Sequence, residues 1–354
     1  MNKIAIFSDK GTYDLFFNLP DMVLQEKLHN ARGIIIDKNV LNLYSDSFIF
    51  PEEKLIILDV SEAMKTPEES LRICKELLEL GIKRKENIIA LGGGITQDLV
   101  TFAASILFRG INWTFVPTTL LAQSDSCIGG KSSLNFSSWK NILGNFYPPS
   151  TIIVQEKFLT TLNQDDIRSG IGEILKVHLL SGSDAAEQII KQFQSFKKNS
   201  TMLSEMIFNA LSFKNKILEI DPLDTGLRLK MNYGHSFGHA LEAATNFSIA
   251  HGIAVTIGLD MANFMALRIQ RIDNTYFSKI HRLLHMNLEP KDFVSFNFDT
   301  FITALRKDKK NSAQLYRFVI PVAKGEVELI DFPMNDETDL LLSDYLENYY
   351  KSEV

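Results

Sequence analysis

Cysteine is scarce: the chain has only two, Cys74 and Cys127, in no metal-type spacing. Thiols so placed offer neither a disulfide framework nor a thiolate zinc cage, and they fit a reducing compartment. Long apolar runs are also missing, and none approaches the roughly eighteen residues that a helical membrane span needs. The start, MNKIAIFSDK, lacks the apolar stretch that signal peptides carry. The expectation is a cytoplasmic chain with no membrane partner. Excess positive charge is absent as well. The formal net charge of −6 argues against a general nucleic-acid binder, while leaving local basic pockets open. No repeat or low-complexity tract interrupts the sequence. What remains is a globular composition, 45% hydrophobic and 23% charged over 354 residues, enough for two domains with their own cores.

The first half alternates short β-rich runs with helical patterns, the signature of an α/β layer with a largely parallel sheet. Strands are expected at 4–7, 33–36, 55–58, 88–91, 113–116 and 151–154, and helices at 66–80 and 97–108. After about Leu162 the texture changes to long amphipathic segments, 165–181, 184–197, 200–219, 234–245, 250–270 and 274–285. A late β-like pair, 316–321 and 326–330, precedes a final helix near 336–350. The pattern predicts a nucleotide-binding (Rossmann-like) α/β domain over 1–162 and a mainly helical domain over 163–354. The functional site is expected in the cleft between them.

Asp37 and Asn39 follow the run 33–36. Such side chains at the carboxyl end of a parallel strand can hold ribose hydroxyls, or simply start a turn. In IIALGGGITQDLV, Gly92, Gly93 and Gly94 leave a buried strand and open a helix, so the backbone can approach a pyrophosphate. The usual fingerprint G-x-G-x-x-G fails there, because Gln97 occupies its last glycine position. Gly130-Lys131-Ser132 hints at a Walker A loop, but Asp125 stands where the first glycine is required, which excludes it. Thr118, Thr119, Asp125, Ser126 and Lys131 form a polar run after the strand 113–116, facing either a ligand or solvent. Lys131 with Lys140 and Asn141 would suit a phosphate monoester.

The densest chemistry lies at 228–251, RLKMNYGHSFGHALEAATNFSIAH. His235 and His239 are four apart, on one face of an expected helix, and His251 follows. Three of the seven histidines therefore gather beside Arg228, Lys230 and Asn232. A lone histidine is most often a satisfied core residue. Several with an acidic partner make a zinc-type site, whose remaining ligand must come from elsewhere in the chain.

The motifs GGGITQD, Phe108-Arg109-Gly110, PTTLLAQSDSCIGGK, WKN, GEILK and GLRLKMNYGHSFGHALE, followed by His251-Gly252, run in order over nearly the whole chain. Together they resemble those of the 3-dehydroquinate synthase family, within the sugar phosphate cyclases. The resemblance implies a dehydroquinate synthase-like fold and a divalent metal, Zn2+ or Co2+, held by Glu173, His235 and His251. It moves His239 from the metal to the substrate. It carries NAD contacts onto Asp37, Asn39, Glu62, Lys65, Gly93, Gly94, Asp98, Thr118, Thr119, Lys140, Thr161 and Leu162. Substrate contacts fall on Asp125, Lys131, Asn141, Lys176, Lys214, Arg228, Asn232, His239 and a lysine of the pair Lys309-Lys310. Arg109 matches an arginine that reaches the neighbouring subunit's phosphate site, which implies a homodimer.

By that resemblance NAD oxidises a secondary alcohol of a seven-carbon sugar acid phosphate, and inorganic phosphate is eliminated. The ketone is then reduced back, the ring opens, and an aldol step closes a carbocycle in the shikimate pathway. Gln97 and Ser61 replace family glycines, Ile253 replaces the glutamate of a His-Gly-Glu motif, and Ser132-Ser133 and Trp139 replace smaller residues. Gly172 and Tyr233 are milder departures. A cyclase acting on sedoheptulose 7-phosphate, glucose 6-phosphate or an amino analogue is the neighbouring reading. A metal-dependent polyol dehydrogenase would share the architecture but has no use for a phosphate site.

Overall fold

A computed structural model describes residues 2–137, 139–182, 188–189, 200–308 and 310–350. The chain divides into two compact units, Met1–Asn163 with Lys214–Leu223, and Gln164–Phe213 with Asp224–Val354.

In the first unit, β-branched runs buried on both faces build the middle of a sheet. Its strand order is β1 (Asn2–Ser8), β2 (Gly11–Phe17), β9 (Thr151–Val154), β6 (Asn112–Pro117), β5 (Asn87–Gly92), β3 (Gly33–Asp37) and β4 (Leu55–Leu58). Only the β1–β2 pair is antiparallel. Helices α1 (Asp21–Asn30), α2 (Lys38–Tyr44), α3 (Pro67–Glu79) and α4 (Gly94–Ile106) fill the connections. Thr66 starts α3 by accepting from the Glu69 amide, with Pro67 in the first turn. Ile34, Ile36, Ile89, Leu91, Val116 and Ile153 form the core under α1. The register aligns Ile36 with Leu91 and Gly92 with Pro117, so Asp37, the three glycines and Thr118 share the carboxyl edge, where parallel sheets bind nucleotides.

The second unit holds α5 (Gln164–Leu180), most of α6 (Ser200–Ile220), α7 (His235–Ala244), α8 (His251–Arg268), α9 (Asn274–His285) and α10 (Phe298–Arg306). The hairpin β10 (Leu315–Ala323) and β11 (Glu326–Pro333) and helix α11 (Asp336–Asn348) complete it. Every residue of α8 from Gly252 to Ala266 is buried, and α5, α7, α9 and α11 all pack against it. Among the described residues no helix is long and apolar enough to cross a membrane.

Where α5 meets α8 the two backbones touch. A β-carbon on Gly172 would lie 2.0 Å from the Gly252 carbonyl oxygen, and one on Gly252 would lie 1.8 Å from the Ser169 carbonyl oxygen. The Gly252 amide, one of the donors without a helical partner at the start of α8, donates to Ser169 Oγ at 2.9 Å. Glu173 and His251 flank this contact in sequence.

The expected strands form, as do the expected helices other than 184–197, with ends shifted by a few residues. The structure adds β2, the hairpin β7 (Leu134–Phe136) and β8 (Trp139–Leu143), α1, α2 and α10, which the pattern did not predict. Helix α4 begins at Gly94 rather than at Gln97. Of the expected segment 184–197, all but residues 188–189 lies outside the described residues. Replacing Gly252 by Ala should cost about 2–3 kcal/mol in chemical denaturation, because the added methyl meets backbone that cannot yield. An unchanged midpoint would mean that the two helices can separate without loss.

Candidate active site

Glu173 comes from the middle of α5, His235 from the first residue of α7 and His251 from the first residue of α8. Glu173 Oε1 lies 3.4 Å from His235 Nε2 and 3.3 Å from His251 Nε2. The carboxylate is 2% exposed, and the two imidazoles 13% and 34%. His235 Nδ1 is 3.2 Å from the Tyr233 carbonyl, which can only accept, so the proton sits on Nδ1. His251 Nδ1 is 3.2 Å from Glu242 Oε2, with the same consequence. Both Nε2 lone pairs therefore point toward a carboxylate oxygen. Three lone pairs at this separation repel unless positive charge sits among them. Donors about 2.0–2.1 Å from a tetrahedral ion stand roughly 3.3 Å apart, so the set fits a zinc-type cation.

The electrostatics draw positive charge to the same point. Burial opposes charge on His251, yet Glu242 first and then Glu173 push its pKa up to about 10. Burial, Lys176 and the neighbouring imidazoles hold His235 well below its usual range. The His239 ring centroid lies 5.4 Å from that of His235 and 5.6 Å from that of His251, and its side chain is exposed beside the cluster. Lys176 Nζ stands 2.5 Å from Glu173 Oε2.

Glu242 was not among the sequence-derived candidates. Its signal was present, since it lies three residues after His239 on α7 and so shares that face. At position 253, where the family motif has glutamate, the isoleucine is buried.

The cofactor candidates gather in the first unit. Lys65 Nζ pairs with Asp98 at 2.8 Å and donates to Asn141 Oδ1 at 2.8 Å, and Lys140 pairs with Glu62 at 3.2 Å. A cavity of about 500 Å3 is lined here by Glu62, Thr66, Asn135, Phe136 and Lys140. Asp37 caps α2, its Oδ1 accepting from the Asn39 amide at 2.8 Å. The Thr118 amide donates to the Gly92 carbonyl at 3.0 Å. Thr161 Oγ1 lies 3.0 Å from the Tyr44 hydroxyl, and the Leu162 amide closes the turn before α5 by donating to Leu159 O.

At the glycine turn the outlook differs from residue to residue. A β-carbon on Gly93 would press on Thr119 Cγ2 at 2.9 Å, whereas one on Gly94 would meet nothing nearer than Ser126 Oγ at 4.0 Å. The open ground that a pyrophosphate needs thus lies over Gly94, at the start of α4. Gln97, where a glycine was expected, braces the turn. Its Nε2 donates to the Ser126 carbonyl at 2.6 Å and its Oε1 accepts from Ser126 Oγ at 2.7 Å.

The substrate candidates fall on both units. In the first, Lys214 Nζ binds Asp125 Oδ1 and the Asp125 carbonyl, each at 2.6 Å. Lys131 is exposed, its backbone bridged to Phe146, and Asn141 lies in the exposed strand β8. Arg109 is exposed with a left-handed φ of 62°. In the second unit, Arg228 is buried, and Asn232 Nδ2 donates to the Leu229 carbonyl at 3.0 Å. Lys310 pairs at 3.1 Å with Asp308, which accepts from Ser236 Oγ on α7. Lys309 lies outside the described residues.

Residues 55–169 match the family described as 3-dehydroquinate synthase N-terminal, and residues 170–311 the one described as 3-dehydroquinate synthase C-terminal. The chain is 33% identical over 328 residues to a 3-dehydroquinate synthase of Thermoanaerobacter sp. (strain X514), covering 90% of this chain and 92% of the relative. Its fold is similar to that of a 2-deoxy-scyllo-inosose synthase solved with carbaglucose-6-phosphate, NAD+ and Co2+. The TM-score is 0.85 at 23% identity, over 98% of this chain and 99% of the other. It is also similar to a 2-epi-5-epi-valiolone synthase from Streptomyces hygroscopicus subsp. jinggangensis 5008 with NAD+ and Zn2+ bound. There the TM-score is 0.81 at 24% identity, over 95% and 97% of the two chains.

Asp98 offers a pH-dependent test of the cofactor pocket. Burial raises its pKa from 3.8 to about 6, against the opposing pull of Lys65. The folded state thus holds this proton more tightly than the unfolded chain. The linked stability is present below about pH 3.8 and is lost as pH rises through about 6. In Lys65→Met the carboxyl should titrate above that value, and the loss should move to higher pH. Carboxyl-carbon NMR of the two proteins checks this, and coincident titrations would sever Lys65 from Asp98.

Proposed function

The chain belongs to the 3-dehydroquinate synthase family of carbocycle-forming enzymes, and on that footing we propose a specific reaction. The substrate is 3-deoxy-D-arabino-heptulosonate 7-phosphate, and the products are 3-dehydroquinate and inorganic phosphate, as in the shikimate pathway. The cofactors are NAD and a divalent metal of the zinc and cobalt class. The observation that carries this reading is the meeting of Glu173, His235 and His251 at 3.3–3.4 Å within the matched residues.

When bound, NAD supplies a hydride acceptor that is restored within each turnover, and the metal supplies polarisation of an alcohol oxygen. Glu173, His235 and His251 hold the metal, and Glu242 fixes the His251 tautomer that ligation requires. Gly94 and the start of α4 receive the pyrophosphate, Asp37 and Asn39 the ribose, and the Glu62–Lys65–Asp98–Lys140 network the remainder of the dinucleotide. Thr118, Thr119, Thr161 and Leu162 complete that site. Lys131, Asn141 and Lys310 take the phosphate monoester. His239 and Asn232 meet the reacting carbons, and Lys176 keeps a cation beside Glu173. Arg109 serves the phosphate site of a partner subunit in a homodimer.

Gly94→Val should weaken NAD binding at least tenfold while leaving thermal stability unchanged, because the new side chain enters open ground rather than protein. Calorimetric titration with NAD checks this, and undiminished affinity would remove the pyrophosphate from this turn.

The buried Arg228 is assigned to the substrate carboxylate. Its planar guanidinium matches that group with paired hydrogen bonds, which the hydroxymethyl of sedoheptulose 7-phosphate cannot supply. Losing such a pairing costs on the order of 2–5 kcal/mol, or about 30- to 4,000-fold in discrimination. Phosphate release should therefore favour the acid sugar in the wild type, and Arg228→Ala should erase most of that preference. No NADH should accumulate. Equal or faster turnover of sedoheptulose 7-phosphate by the wild type would move the chain to the specialised cyclases, and stoichiometric NADH to the polyol dehydrogenases.

A further inference from the structure

Asp260 lies in the middle of α8, in a stretch where every residue from Gly252 to Ala266 is buried, and its own side chain is 0% exposed. A carboxylate in such a place is costly unless it is paired. The partners come from α9, where His281 and His285 are one turn apart on the buried face with ring centroids 4.0 Å apart. His281 Nδ1 is 2.8 Å from Asp260 Oδ2, and His285 Nε2 is 3.5 Å from the same oxygen. The Tyr345 hydroxyl of α11 donates to that oxygen at 2.8 Å. Phe277 and Phe293 stack on the two imidazoles at 5.4 and 5.8 Å and close the site to water.

Two occupants could balance this set: a proton shared by an imidazole, or a cation. A proton between His281 and Oδ2 satisfies that pair alone. It leaves Asp260 Oδ1 and His285 Nε2 buried with no hydrogen-bond partner, at about 1–3 kcal/mol each. A cation at the centre would engage His285 Nε2 together with His281 and the Asp260 carboxylate. The donor atoms of the three residues lie within 4.8 Å of one another, as do those of Glu173, His235 and His251. One carboxylate and two imidazoles, with a phenol beside them and no cysteine, suit a divalent transition metal rather than calcium or magnesium, which take oxygen ligands. We infer that Asp260, His281 and His285 form a second metal site of the zinc class, which fastens α9 to α8 and takes no part in the chemistry. The signal in sequence is a His-x-x-x-His pair whose acidic partner lies on the preceding helix, out of reach of local spacing.

The test uses the full chain carrying His251→Ala, which removes the ligand shared by Glu173–His235–His251 and His239–Glu242–His251, so the result does not depend on the proposed reaction. After loading with Zn2+ and dialysis, elemental analysis should find about one zinc per chain, and a chelator should lower the melting temperature. Adding His281→Gln and His285→Gln should bring zinc to background and abolish the chelator effect. Should that triple variant fail to fold, His285→Gln alone in the same background should cut zinc affinity at least tenfold. Co2+ should give the visible d–d bands of a tetrahedral site in the His251→Ala chain, and lose them with His285→Gln. Background zinc in His251→Ala, or zinc that persists through both histidine changes, overturns the inference and leaves a protonated imidazole as the occupant.

Discussion

The structure of the second unit turns on the approach of α5 to α8 with no side chain between them. Because Gly172 and Gly252 meet at distances that no β-carbon tolerates, a carboxylate on one helix and an imidazole on the other come within 3.3 Å. Any larger residue at either position would separate the backbones by more than a ligand bond can absorb. Hydrophobic burial along α8 supplies the driving force for packing, but it is indifferent to an ångström of sliding. The glycine contact, with the Ser169 hydroxyl taking the Gly252 amide, removes that freedom. The spacing of the proposed metal ligands is therefore set first by helix packing and only then by the side chains themselves.

A second constraint acts through protons. Each metal-facing imidazole has its other nitrogen committed, that of His235 to the Tyr233 carbonyl and that of His251 to Glu242. The Nδ1 proton of each ring is fixed before any cation arrives, so a cation would displace only what sits at Nε2. Glu242 does more than orient. Together with Glu173 it raises the pKa of His251, so a divalent cation entering at neutral pH displaces a proton from that ring. The site is a well for positive charge, filled by a proton or by a metal according to their activities.

The sheet was legible from sequence because buried parallel strands read as unbroken apolar runs, as GIIID and NIIALG do. The hairpin β7–β8 was not, since all five residues of β8 are exposed and no burial pattern marks it. Helices α1 and α2 escaped for another reason: at 10 and 7 residues they offer too few turns for a periodicity to stand out. At the site, spacing alone favoured His235 with His239, whereas the structure turns His235 toward Glu173, sixty-two positions away. Only the resemblance in GEILK pointed to that partner. Gln97 stands where the family has a glycine, and only the structure shows that it ties the turn to Ser126 from both ends of its amide. What local sequence leaves out is the identity of the atom across the gap, because tertiary packing decides it.

Three buried carboxylates show how one chain of net charge −6 handles internal anions differently. Asp98 has a lysine, a flexible cation that can follow it, and its pKa still rises to about 6 because burial outweighs the pair. Glu173 has a lysine at one oxygen and two imidazoles at the other. It therefore keeps one edge for an exchangeable cation, as a catalytic centre requires. Among the described residues Asp260 meets two imidazoles and a phenol rather than a lysine or arginine. A mobile ammonium would make that position self-sufficient. Rigid rings held by aromatic stacking cannot follow the carboxylate, which is why the inferred metal suits that position. The difference between a finished ion pair and a receptive site thus lies in the stiffness of the partners, and not in how deeply the carboxylate is buried.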